Sequence, residues 1–357
     1  MESLLQGERP QFAPDTTYLN TAAHGLLPAG TVTAIRTAAD EMAGGLLDQV
    51  AYYRAVEEAR ASYARLLGVG AHRVATGSTV AVHTALVAGS LPPGAEVLVA
   101  QDEFSSLVTP FTTRGDLRLR QVPLEKIADA VRPETALVAV SAAQSLDGRV
   151  ADLTALRTAA AQHGARTLVD LTQAAGWLPV SAEDFDFTVC GAYKWLLCPR
   201  GTSFLTVPED GGGLRSLHAG WLAGQEPWDS CYGPVKVLAS DARRFDEGPP
   251  FLSYLGAVRS LELIERVGRS AIAAHDLALA GRFRAGLADL GMTPVPADSP
   301  IVSVPGTGDV AEELNRAGVR ASVRGGSLRV SFHLYNTAGD VDRALDALAG
   351  PVGRKRP

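Results

Sequence analysis

Asp170 and Lys194 stand 24 positions apart, each beside the end of a short apolar run. Asp170 closes the run Arg166–Asp170, and Lys194 follows the run Phe185–Cys190. If both runs are strands of a parallel sheet, both side chains reach its carboxyl edge, where ligands bind. Pyridoxal 5'-phosphate requires such a pair. An amine condenses with its aldehyde, and a carboxylate beside the pyridine nitrogen keeps that nitrogen protonated, so that the ring draws electrons. Opposite charges in a partly dry pocket also hold each other ionised. Alone, the pair also fits a solvated lysine and a helix-capping aspartate, so the surrounding elements decide.

Those elements form an α/β pattern, in which short apolar runs alternate with longer helical stretches. Val97–Ala100, Ala136–Ser141, Arg166–Asp170, Phe185–Cys190 and Thr202–Val207 read as strands. Leu153–His163 reads as a helix between Asp152 as N-cap and Gly164 as C-cap. Gly77–Leu91 reads as another helix, opening on Gly77-Ser78-Thr79. Small residues at a helix N-terminus expose backbone N–H groups to a phosphate, and a hydroxyl adds a donor. Gly211–Pro234, rich in Gly, Trp and Pro, reads as a long ordered loop. Tyr254–Val267 reads as a long helix leading to a second lobe. In that lobe Ala271–Leu290 is helical, Ile301–Val304 and Leu328–Phe332 are strands, and Asp340–Leu348 is a closing helix. The basic tail Gly353–Pro357 reads as a frayed end.

Composition narrows the function classes. The 357 residues suggest about two domains. Thirty-three basic against 39 acidic side chains leave a net charge of −6, which argues against nucleic acid as a partner. Cys190, Cys198 and Cys231 are too few for a disulfide framework, and no Cys/His cluster has zinc spacing. The apolar runs are of strand length, and Met1–Glu8 shows no basic-then-apolar leader. The expectation is a soluble cytoplasmic protein with neither a membrane nor a metal.

The order Asp170-x-x-Gln173, then Tyr193-Lys194-Trp195-Leu196, then Pro199-Arg200-Gly201 resembles the class V aminotransferase family of fold-type I pyridoxal phosphate enzymes. That family includes cysteine desulfurases, kynureninases and related lyases and epimerases. The resemblance runs from Tyr18-Leu19-Asn20-Thr21-Ala22-Ala23 to Leu328–Thr337. It implies a large domain over residues 15–256 with a mostly parallel seven-stranded sheet. A small α+β domain would comprise residues 1–14 and 257–357. It also implies a homodimer, with Gly211–Pro234 as a partner-facing or gating segment.

The resemblance assigns roles residue by residue. Lys194 forms the Schiff base, Asp170 meets the pyridine nitrogen, and Gln173 meets the ring's phenolic oxygen. Ser78 and Thr79 hold the phosphate. Phe104 stacks on the ring where many relatives have His, which removes one proton shuttle. Tyr193 precedes the lysine as in kynureninase, with its hydroxyl toward the phosphate, whereas Gly191 offers no side-chain donor. Arg329 takes the substrate carboxylate. Either Gln144 or Ser145 stands near the ring oxygen, and Ser145 is the assigned residue. Asn20 and His24 are candidates for substrate contact, and Asn336 stiffens a turn. In Arg243–Pro249 the family's cross-subunit Thr is replaced by Pro249, which has neither N–H nor hydroxyl, leaving one of the two arginines to support the loop.

The reaction is less constrained. Desulfurases carry a cysteine on the loop before the segment matching Arg329, but Val319–Ser327 has none, and the apolar neighbours of Cys198 suggest a buried thiol. Transamination of an amino-acid-like substrate is preferred. A β-eliminating carbon–sulfur lyase or a desulfurase-like enzyme without a sulfur relay is the alternative, and a non-catalytic cofactor-binding protein is the third reading.

Overall fold

The computed structural model describes residues 7–354, so the readings that fall on residues 1–6 and 355–357 lie outside the described residues. Its centre is a seven-stranded sheet. In chain order the strands are β2 (Val74–Gly77), β3 (Glu96–Ala100), β4 (Arg118–Val122), β5 (Thr135–Ser141), β6 (Arg166–Asp170), β7 (Phe187–Gly191) and β8 (Ser203–Thr206). Across the sheet the order is β2-β8-β7-β6-β5-β3-β4. Only β8 runs against its neighbours. The inner strands are buried on both faces, which is why they read as unbroken apolar runs rather than alternating ones.

The crossover helices follow from local chemistry. Helices α1 (Ala29–Ala43) and α2 (Gln49–Leu67) precede the sheet, and α3 (Val80–Ser90), α4 (Ser105–Thr113) and α5 (Leu153–His163) cross over it. In α5 the Asp152 side chain accepts from the Ala155 N–H at 2.9 Å, and Gly164 closes the helix at φ 68°. The expected helix Gly77–Leu91 needs correcting. Gly77 is the last residue of β2, paired with Ser203, and extended Thr79 caps a helix that starts only at Val80. Sheet pairing wins over helix propensity there, because an unpaired buried strand end costs more than a shorter helix.

After the sheet, α6 (Phe251–Val267) lies along α1 and α2, with Thr31 Oγ1 and Ser260 Oγ hydrogen-bonded at 2.7 Å. Then follow α7 (Arg269–Asp289), β9 (Ile301–Val304), α8 (Ala311–Arg316), β10 (Val319–Arg320), β11 (Ser322–Arg324), β12 (Ser327–Ser331) and α9 (Ala338–Arg354). The expected closing helix thus extends beyond both Asp340 and Leu348. Strands β11, β12 and β9 form an antiparallel sheet, and β1 (Thr17–Tyr18) pairs with β10. Phe283, Val302, Val330 and Phe332 form a second core there, joined by Leu19 from the N-terminal segment. Among the described residues no helix is long and apolar enough to cross a membrane. The segment Gly211–Pro234 is held by three short 3-10 turns.

Candidate active site

Five strands end at one edge and deliver their side chains to a cavity of about 470 Å³. Ser78 and Thr79 come after β2, Phe104 after β3, Ser141 and Ser145 from the end of β5, Asp170 from β6, and Tyr193 and Lys194 from beyond β7. Because β8 is antiparallel, its amino end adds Arg200 and Gly201 at the same edge.

Asp170 is the last residue of β6, paired with Ser141 and Val189, and is 4% exposed. Its carboxylate accepts from the Thr172 N–H at 2.8 Å. Burial pushes this carboxyl above its ordinary range, while the Thr172 hydrogen bonds and the Lys194 charge pull it back. Lys194 is equally buried. Burial draws its amine down to about 7; Asp170 opposes the drop, and repulsion from Arg329 and Arg200 adds to it. Its Nζ lies 5.4 Å from the Phe104 ring centre and 5.7 Å from that of Tyr193.

The main chain around Lys194 is braced from several directions. The Gly25 N–H donates to Tyr193 O at 2.9 Å. A Cβ at residue 25 would come within 2.1 Å of Lys194 O, so only glycine lets this segment lie there. Trp195 Nε1 donates to Gln173 Oε1 at 2.8 Å. His333 Nε2 lies 3.0 Å from Trp195 O, and because a carbonyl only accepts, that nitrogen carries the hydrogen. The other ring nitrogen faces Asp276 Oδ2 at 2.8 Å, with both side chains fully buried.

Gln173 is fully engaged. Its Nε2 donates to Ala22 O at 2.9 Å and to Ser145 Oγ at 3.0 Å. Ser145 in turn accepts from Arg329 Nη1 at both its carbonyl and, at 3.2 Å, its hydroxyl. This settles which side chain of the pair faces the cavity. Ser145 lines it, and Gln144 turns its Nε2 toward Gln101 O. Arg329 reaches the cavity through Ser145 and is 1% exposed, with Nε unpartnered. Burial, with Arg324 nearby, draws its guanidinium down to about 9.

Asn20 and His24 do not line the cavity. Asn20 forms a strand bridge to Ser331, and its Oδ1 is buried without a partner. The His24 ring centre is 5.9 Å from that of Tyr193. Asn336 holds a turn, accepting from the His333 N–H at 2.9 Å. Cys198 is fully buried, and burial pushes its thiol far up. Arg243 supports its loop through Asp241 and the Tyr53 hydroxyl.

Four contributors were not read from the sequence. Arg200 lines the cavity with its guanidinium 4.5 Å over the Tyr193 ring. Thr172 binds the Gly191 N–H through Oγ1 at 2.8 Å. Glu103 accepts from Ser141 N–H at 2.7 Å and from Ser141 Oγ, and burial pushes its carboxyl up to about 7. Glu247 Oε2 accepts from Ser78 N–H and Oγ. Arg200 sits inside the motif already singled out and Glu103 directly precedes Phe104, so adjacency was the available signal for those two. Glu247 likewise sits inside the Arg243–Pro249 stretch, but nothing local tied it to Ser78.

A buried amine near 7, a buried carboxylate, a guanidinium with a free donor and a helix N-terminus together fit pyridoxal phosphate. Glu247 is the one group at odds with that fit, an anion already on Ser78. A separate cavity of about 400 Å³, lined by Met42, Leu47, Tyr52, Trp221, Trp228 and Phe251 among others, offers no charged group and none of this chemistry.

The family model for aminotransferase class-V matches residues 17–344. The chain is 27% identical to the uncharacterized aminotransferase YcbU of Bacillus subtilis, over 84% of each chain. It is 30% identical to isopenicillin N epimerase of Streptomyces clavuligerus, over 95% of this chain and 96% of that one. Among solved structures, a lysine-to-alanine variant of C-DES with glycine covalently linked to its PLP cofactor superposes with a TM-score of 0.86 at 20% identity. That match covers 96% of this chain and 98% of the other.

Proposed function

Because the chain belongs to the aminotransferase class-V family of pyridoxal phosphate enzymes, we propose that Lys194 is its Schiff-base lysine and that it transfers an amino group between an amino-acid-like substrate and a keto acid. The observation that carries this reading is the convergence of Lys194 and Asp170 on one sheet-edge cavity, with Arg329 hydrogen-bonded behind its wall to Ser145 and the Lys194 amine drawn by burial down to about 7. Such an amine is both free enough to attack and basic enough to take a proton at neutral pH.

The bound cofactor supplies an aldehyde for amines and a ring that accepts electrons from the substrate's Cα. Asp170 lies beside the pyridine nitrogen in this reading. Its burial makes a protonated ring nitrogen a welcome counter-charge. Ser145 and Gln173 would meet the phenolic oxygen and the first turn of α3 would take the phosphate, with Phe104 and Tyr193 flanking the amine. Arg329, behind Ser145, would supply the cation for the substrate carboxylate. Lys194 Nζ would be the base and acid that moves the proton at the substrate's Cα.

The preference for transamination over β-elimination rests on the family, while sealed Cys198 speaks only against a sulfur relay of the desulfurase kind. Two copies of the chain pairing through the apolar cavity that Leu47 and Trp228 line belongs to the same proposal, supported by the exposure of those two side chains.

The test is to load purified protein with pyridoxal phosphate, reduce with borohydride and map the label by mass. Label on Lys194 is expected, and label elsewhere removes the assignment. Mixing with single amino acids then separates the reactions. A stoichiometric keto acid with pyridoxamine phosphate marks transamination, whereas catalytic pyruvate, ammonia and a thiol mark elimination.

A further inference from the structure

The two donors of Ser78 are already in use. Glu247 Oε2 accepts from the Ser78 N–H at 2.9 Å and from the Ser78 hydroxyl at 2.7 Å. The segment that carries Glu247 is firmly placed. The Glu247 N–H donates to Thr76 O at 3.2 Å. The neighbouring Asp246 accepts from the Thr76 N–H at 2.7 Å and pairs with buried Arg60 at 2.7 Å. Residues 246 and 247 are therefore stapled to β2, immediately before the turn that leads into α3. At Gly77 a Cβ would stand 2.8 Å from His83 Cε1 and 3.3 Å from Glu247 Oε2, so glycine there makes room first for the His83 ring and then for the carboxylate.

We propose that Glu247 is a resident anion in the phosphate cradle, and that it sets the affinity for pyridoxal phosphate by competing with the cofactor's phosphate for Ser78. This rests on the reading of the cavity as a cofactor site. A carboxylate and a phosphate oxygen both only accept, so they cannot share the same N–H and hydroxyl hydrogen. Held together in a partly dry site, they also repel. Because the main chain is stapled, the adjustment falls to the Glu247 side chain, which is half-buried and leaves Ser78 as the phosphate arrives. Two charge-assisted hydrogen bonds are given up in that exchange, and the same two donors are regained by the phosphate. The net gain on binding is therefore smaller than the cradle would give without the carboxylate. A cofactor form without a phosphate does not meet this competition.

Wild type, Glu247→Gln and Glu247→Ala are titrated with pyridoxal phosphate and with pyridoxal, read by the absorbance of bound cofactor. In parallel, inorganic phosphate alone is added and the melting temperature followed. Glu247→Ala should bind pyridoxal phosphate about tenfold more tightly or better, from the loss of competition for hydrogen bonds to a charged group, and Glu247→Gln, which keeps an acceptor oxygen but loses the charge, should gain less. Pyridoxal should bind all three proteins alike, and phosphate should raise the melting temperature of Glu247→Ala more than that of wild type. Equal or weaker binding of pyridoxal phosphate by both variants, or an equal gain for pyridoxal, overturns the role of Glu247 and leaves the cofactor site standing. Failure of all three proteins to take up either compound overturns the cofactor reading, and this inference with it.

Discussion

At the amine end of the cavity, Gln173 uses both of its donors and its acceptor, Arg329 is sealed behind Ser145, and Lys194 is flanked by a Tyr193 carbonyl held by Gly25, a Trp195 carbonyl held by His333 and a Trp195 indole held by Gln173. At the phosphate end, Thr79 makes one long cap at 3.4 Å and Ser78 is held by a half-buried carboxylate that a ligand can displace. The amine end is drawn from strand ends of the large sheet and tied across to the second core, so its groups have little freedom to rearrange. The phosphate end is a helix start closed by a surface segment. On the proposed reading, the reacting geometry is fixed by a buried network and the grip on the ligand's tail is left adjustable.

Breaking the amine end should have the largest effect. Lys194→Ala should lower turnover by about 10³-fold or more and abolish covalent cofactor attachment, with an unchanged circular dichroism spectrum. Retained turnover would show that this end is not where the chemistry lies. Asp170→Asn keeps an acceptor for the Thr172 N–H but removes the charge. It should cut kcat by about 100-fold, while the melting temperature holds or rises because a costly buried carboxylate is gone.

Arg329→Ala should raise KM about tenfold or more for amino acids with a free α-carboxylate, and spare the decarboxylated amines. An equal loss for both would make Arg329 a brace for Ser145 rather than a clamp. The smallest expected effect lies in pH dependence. With the Lys194 amine drawn down to about 7, the rate of cofactor attachment should rise through pH 7 as the neutral form accumulates. Arg200→Gln removes a repelling cation and should move that midpoint upward, and a downward move would break the electrostatic account.

Much of the amine end was legible beforehand. Asp170 and Lys194 could be placed because strands β6 and β7 are short apolar runs whose ends are visible, and because a parallel sheet sends both ends to one edge. Helix α5 was legible because its two caps, Asp152 and Gly164, act within the helix itself. The start of α3 was misread, because the pairing of Gly77 with Ser203 spans 126 positions and leaves no local mark. The same reason hid Glu247, whose partner Ser78 is 169 positions away, and the Asp276–His333 pair behind Trp195.

The sequence by itself determined the residue types and their order along alternating strands and helices, which follow from local periodicity, while the kind of chemistry came through the family resemblance of its short motifs. Only the tertiary structure decided that Ser145 rather than Gln144 faces the cavity, that Arg329 reaches it through Ser145, that Asn20 and His24 stand outside its wall, and that Ser78 meets a carboxylate. Those outcomes depend on long-range packing, in which side chains far apart in the chain compete for the same few buried hydrogen-bonding partners.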